Sequence, residues 1–286
     1  MSPSPKLSNC STEHVNKDKN MNKSRMSDSD WSTDSEAESD SEVPLDLTAP
    51  KAIKLEVPVF DAKFHPEECL VVAGDLEGRI QAWRIDEECS EAPKTHISVK
   101  AHADSIRGLC FAPSGKKLFS IGSDKQLLIS DVETSSPILA LQDAFDDAPY
   151  CISSTHEHII ATGDEAGVVR LFDIRKKNPI DELLIDDGRC EDTIKDVQMS
   201  EDGKYLIAIS DDGTVSAYNC KRHMFLMESE SMGTDLCSIA TVKGETKTLV
   251  TTSSGQIQVY NYKGWGHPSD IIPGQGFHKN TNAKLT

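Results

Sequence analysis

Acidic side chains recur along this 286-residue chain at corresponding places. Asp75 with Glu77, Asp124, Asp164 with Glu165, and Asp211 with Asp212 fall in turns that follow apolar runs. Asp104, Asp147, Asp192 and Asp235 stand near the starts of other apolar runs. Carboxylates so placed can accept hydrogen bonds from turn N–H groups. Gathered on one surface, they can also attract cationic partners. A second constellation is Phe172-Asp173-Ile174-Arg175, whose guanidinium is a planar five-donor fork able to recognise carboxylates or carbonyl-rich surfaces. Catalysis has no comparable starting set. The chain has no phosphate-cradling glycine loop, no serine elbow and no Cys or His pair at metal spacing. His156 and His158, two apart, are read as a surface turn. No enzyme activity, cofactor or metal centre is expected.

The elements that must position these residues are strands. Ala161–Arg175 reads as a hairpin: an apolar run closes on Gly163, an acidic turn containing Gly167 follows, and Val169 and Leu171 alternate with other residues up to Phe172-Asp173. Glycine gives the turn positive φ at little steric cost, and period-two alternation gives each strand one face to bury. The hairpin recurs. Its end falls at Trp83-Arg84, Ser130-Asp131, Phe172-Asp173, Tyr218-Asn219 and Tyr260-Asn261, with gaps of 47, 42, 46 and 42 residues. That period is one four-stranded propeller blade. Five units are expected between residues 51 and 262, their loops converging around a central channel. In that setting Asp75, Asp104, Asp124, Asp147, Asp164, Glu165, Asp192, Asp211 and Asp235 form a candidate acidic rim. Ile53, Leu55 and Val57 alternate ahead of the first unit and predict a leading strand that could clasp the last blade. Residues 263–286 are expected to be irregular.

Charge is unevenly spread. The first 50 residues hold five basic and ten acidic side chains, about −5 of the formal −17, which leaves −12 on the rest. This leader lacks apolar periodicity and is expected to be disordered. Ser27, Thr33, Ser35 and Ser39 each have an acid three positions on and are candidate phosphosites, where added charge would deepen the negative potential. Nucleic-acid affinity depends on neutralising phosphates with Lys and Arg, so a chain this acidic is expected to bind proteins, basic ones above all, rather than RNA or DNA. The eight cysteines form no C-x-x-C pair and read as reduced thiols. No apolar run approaches the length of a membrane span, so a cytoplasmic or nuclear setting is expected.

The repeats resemble the WD-repeat β-propellers, and residues 52–266 are similar to the WD repeat-containing protein 55 family. The resemblance rests on VFDAKFHP (Val59–Pro66), GDLEGRIQAW (Gly74–Trp83), TGDEAGVVRLFDIR (Thr162–Arg175) and SDDGTVSAYN (Ser210–Asn219). It implies an all-β propeller of seven blades, of which five repeats are present, so the chain looks shortened at its C-terminus. Such a chain would be an open arc, or a five-blade ring if Ile53–Val57 pairs with the strand ending at Tyr260. It also implies a hydrogen-bonded set of Asp, His, Ser or Thr, and Trp. The second repeat keeps His102, Ser120 and Asp124 but has Ser130 where Trp is expected; the first keeps Trp83 but has Glu77 and no His. The function implied is that of a non-enzymatic scaffold of the nucleus and nucleolus, with the cytoplasm also open. It would act in ribosomal RNA production or processing and hold basic ribosome-assembly factors. A second reading rests on Phe172, Asp173 and Arg175. They resemble the Trp-Asp-x-Arg box by which some WD-repeat proteins dock onto a cullin-4 ligase adaptor, which would make the chain a substrate receptor.

Overall fold

The computed structural model describes residues 53–85, 94–176, 180–183, 192–242, 244 and 246–274, all within one compact unit, Thr48–Thr286. The candidate phosphosites Ser27, Thr33, Ser35 and Ser39 lie outside the described residues.

Five four-stranded antiparallel sheets follow one another, each a meander in chain order. The first is β1 (Val59–Phe64), β2 (Leu70–Asp75), β3 (Arg79–Arg84) and β4 (Lys94–Lys100). The second is β5 (Ile106–Phe111), β6 (Lys117–Gly122), β7 (Leu127–Asp131) and β8 (Pro137–Leu141). The third is β9 (Pro149–Ser153), β10 (Ile159–Asp164), β11 (Val169–Asp173) and β12 (Ile180–Leu183). The fourth is β13 (Ile194–Met199), β14 (Tyr205–Ser210), β15 (Val215–Asn219) and β16 (Met224–Glu228). The fifth is β17 (Leu236–Thr241), β18 (Lys247–Thr252), β19 (Ile257–Asn261) and β20 (Asp270–Ile272). No helix occurs among the described residues, so none is long and apolar enough to cross a membrane.

Face-to-face stacking explains the sequence of the second strands. KLFSIG, IIATGD and YLIAIS are buried along nearly their whole length, because a neighbouring sheet covers each side. A strand covered on both faces must be apolar on both. Four apolar clusters lie at the four junctions between successive sheets, centred on Val72 and Leu109, Phe119 and Phe172, Val197 and Tyr218, and Ile239 and Tyr260. β18 differs. Lys247 and Leu249 are only half-buried between the buried Thr248 and Val250, the alternation of a sheet covered on one side.

Two expectations change. Ile53–Val57 forms no strand, and β19 pairs instead with β18 and β20, through Ile257 with Ile272 and Val259 with Asp270. The outer edge of β19 has room for one partner and β20 occupies it, so among the described residues no clasp strand joins the first sheet to the last. The fifth sheet therefore runs to Ile272, past the expected boundary at 262. Its last segment is anchored by Trp265, which is 1% exposed and packs between the rings of Tyr205 and Tyr262, with centroids 5.7 Å away in each case.

Candidate functional site

The innermost strands β1, β5, β9, β13 and β17 pack in that order around a cavity of about 780 Å³. Each carries a β-bulge at the same place, which leaves one residue unpaired: Phe60, Arg107, Tyr150, Lys195 and Cys237. A bulge bends the strand and re-aims the extra side chain, and here all five line the cavity. They form an alternating set. The Arg107 guanidinium lies 5.0 Å from the Phe60 ring centroid, and Lys195 Nζ lies 4.9 Å from that of Tyr150. Each cation also has an acid: Arg107 is 3.6 Å from Glu165, and Lys195 is 2.9 Å from Asp211. Burial opposes the Lys195 charge, but the hydrogen bond to Asp211 and the nearby carboxylates more than offset it and raise its pKa.

In three of the five sheets the side chain of the residue after the bulge reaches into the next sheet. Asp61 Oδ2 accepts from Leu109 N at 2.9 Å, across the junction of the first and second sheets. Asp196 Oδ2 accepts from Ser238 Oγ at 3.0 Å and Ile239 N at 2.9 Å, across the junction of the fourth and fifth. At the equivalent place Cys151 donates through Sγ to Ile194 O at 3.6 Å. The repeat alignment, taken on hairpin ends, did not draw attention to this position. The signal was there in the acids of VFDAKF and IKDVQM.

The recurring acids divide into two groups. Asp75 and Asp164 are each 1% exposed and face into their turns rather than onto a rim. Asp75 accepts from Glu77 N, Arg79 N and Gln81 Nε2, and Asp164 from Ala166 N, Val168 N and the buried Arg170. Arg170 spans Asp164 and Asp146 and lies over the Phe145 ring; it was not singled out from the sequence. Asp124 accepts from His102 Nδ1 at 3.0 Å and Ala103 N at 2.8 Å, and His102 Nε2 lies 2.8 Å from Ser120 Oγ. The implied His102, Ser120 and Asp124 set is thus assembled in the second sheet. Asp211 is half-buried beside Lys195.

Asp104, Asp147, Glu165, Asp192 and Asp235 are exposed. One backbone bond per sheet brings the turn between the second and third strands up to the first strand's entry. Leu76, Ser123, Glu165, Asp211 and Ser253 donate to Pro58, Ser105, Ala148, Thr193 and Asp235. This repeated link holds the exposed acids at the entries of the inner strands, and Glu165 against the bulge residue Arg107.

Phe172 is fully buried in the junction of the second and third sheets. Arg175 is exposed but turned back onto its own loop: its Nε and Nη2 donate to the two Asp173 oxygens, each at 2.8 Å. Those hydrogen bonds hold the Asp173 carboxyl down at about 2.

Residues 93–131 match the WD domain, G-beta repeat family, the stretch that carries His102, Ser120 and Asp124. Over 227 residues the chain is 30% identical to the WD repeat-containing protein 55 homologs of Drosophila erecta and Drosophila melanogaster, and 31% identical to that of Drosophila mojavensis. These alignments cover 79% of this chain and 44% of each relative, so the chain spans less than half the length of the curated relatives it matches. Together with five WD-type blades and an intact His-Ser-Asp set, they show a WD-repeat fold that is similar, over 79% of this chain, to the WD repeat-containing protein 55 homologs.

Proposed function

We propose that this WD-repeat interaction scaffold works in the nucleus and nucleolus, in ribosomal RNA production or processing, by holding basic assembly proteins at the mouth of its central cavity. The observation that carries the reading is the mouth itself. Arg107 and Lys195 are already matched by Glu165 and Asp211, so the charge left over comes from Asp235 on the cavity wall and from the exposed Asp104, Asp147 and Asp192 at the equivalent strand entries. Beside them, Phe60 is 47% exposed and Tyr150 half-buried, giving ring faces to an incoming Lys or Arg side chain. Cation–π contacts contribute about 0.5–2 kcal/mol each, and aromatic residues near the centre of a contact tend to carry its affinity.

The test is copurification from nuclear extract with and without RNase, using the chain and a Phe60→Ala/Tyr150→Ala form that melts like it. RNase-resistant recovery of basic assembly proteins, reduced roughly 5–30-fold in the variant, supports the proposal. Equal recovery by both forms moves the contact away from the mouth. The nucleolar role fails if the full-length protein has no nucleolar pool and its depletion leaves pre-ribosomal RNA unchanged.

A further inference from the structure

The hairpin-end position of the repeat holds Trp83, Ser130, Phe172, Tyr218 and Tyr260 in the five sheets. Phe172, Tyr218 and Tyr260 are at most 1% exposed, and each fills the junction between its own sheet and the one before it. Ser130 holds the same place at the junction of the first and second sheets. There a cavity of about 310 Å³ opens, with Ser130 on its wall. Val72, Ala82 and Ile97 form one side, and Phe111 and Leu128 the other. Every other junction has an aromatic ring where this one has space.

We propose that this cavity is a binding site for an uncharged aromatic ring system of indole size. Its volume is about twice that of the ~150 Å³ apolar cavity known to hold benzene, and it falls at the lower end of the ~300–1,000 Å³ typical of ligand pockets. Charged ligands are disfavoured, because the interior offers aliphatic groups and a phenyl ring and no counter-ion. At the mouth, Lys100 is held by the Glu77 carbonyl, and Asp131 by the backbone and hydroxyl of Thr134. The Ser130 hydroxyl supplies one polar group on the wall, able to accept from a ring N–H. Indole should therefore bind better than naphthalene, which fills similar space but has no donor.

The experiment titrates indole, naphthalene and N-acetyl-tryptophanamide into the full chain, with methyl NMR of Val72, Ile97 and Leu128 and melting curves as readouts. Saturable indole binding with Kd on the order of 10⁻⁴ M is expected, with shifts confined to those methyls and a melting temperature that rises with indole concentration. Ser130→Trp should abolish binding and raise the melting temperature without ligand; Ser130→Leu, a smaller filler, should weaken binding at least tenfold if the Trp form does not fold. Ser130→Ala should weaken indole several-fold and leave naphthalene unchanged. Binding of the tryptophanamide at comparable affinity assigns the site to a partner's side chain, and exclusion of it assigns the site to a free aromatic compound. The proposal is overturned if the wild-type chain binds no indole saturably, or if the filling variants bind it as well as wild type. Neither result bears on the mouth variants at Phe60 and Tyr150, so this inference and the proposed function fail separately.

Discussion

Replacing Asp196 by Ala removes the carboxylate that joins the fourth and fifth sheets. Its Oδ2 is the acceptor for Ile239 N at 2.9 Å and Ser238 Oγ at 3.0 Å. Hydrogen bonds to a charged group are worth about 1.5–3 kcal/mol each, and a donor left unpaired in the interior loses its solvation as well. Asp196 is itself half-buried beside the central cavity, so water can reach part of the vacated site and the low end of each range applies. The sum is about 3 kcal/mol, or roughly 6–12 °C in melting temperature for a domain of this size. Asp196→Asn keeps one neutral acceptor and should cost about half as much. Asp235→Ala, on an exposed acid beside the same cavity, should stay within about 0.5 kcal/mol. Because stacked repeats depend on their nearest neighbours, the loss should be local: the Ile239 amide and those of β17–β19 should exchange faster, while β5–β7 keep their protection. An Asp196→Ala form that melts like wild type, or added exchange that appears equally in the second sheet, would refute this role of the carboxylate.

Trp265→Ala empties the ring cluster with Tyr205 and Tyr262 and should cost about 3–5 kcal/mol; urea unfolding measures it, and a loss under 1 kcal/mol would show that the segment after β19 is only loosely held. The Asp173 carboxyl, with its pKa near 2 instead of the usual 3.8, contributes stability that is complete above about pH 4 and is lost as pH falls from there toward 2. In Arg175→Ala its NMR titration midpoint should rise toward the ordinary value, and a midpoint still near 2 would show that the backbone donor alone sets it. Burial pushes the Cys110 thiol up to about 11 and that of Cys220 to about 12, whereas Cys69 is exposed. Brief alkylation at neutral pH should therefore modify Cys69 well ahead of the other two, read by peptide mass; early labelling of Cys220 would mean that the junction of the third and fourth sheets opens readily.

Much of the fold was legible because it depends on short-range rules. Period-two alternation, acidic turns with glycine, and an aromatic at the hairpin end are local patterns, and they located five sheets. The turn glycines behave as read, with φ near 80° at Gly78, Gly167, Gly213 and Gly255, while Lys125 takes φ 62° at the matching turn of the second sheet. What was not legible depends on partners distant in sequence. Ile53–Val57 alternates as a strand would, but whether it forms one depends on who holds the outer edge of β19, and β20 does. Arg170 looked like one polar residue in VVRLFD, yet it is buried because Asp164 and Asp146, 6 and 24 residues away, converge on it.

The acids of the candidate site show the same division. Sequence spacing placed nine acids at turns and strand starts and gathered them into one rim, and the fold makes them unequal. Where the backbone turns back on itself, the carboxylate satisfies several N–H groups and is withdrawn from the surface, as at Asp75 and Asp164. Where the chain enters an inner strand, the carboxylate remains exposed, as at Asp104, Asp147, Asp192 and Asp235. Turn chemistry and surface exposure are therefore alternatives at these acids but coexist along the repeat. The same periodicity that lets a blade close its own hairpin places a second acid, in four of the five sheets, two or three residues before a side chain that a bulge has turned toward the cavity. The bulge residues stand outside the ladder pairing of their strands, which is why these positions can differ from blade to blade, as Phe60, Arg107, Tyr150, Lys195 and Cys237 do, without disturbing the strands that carry them.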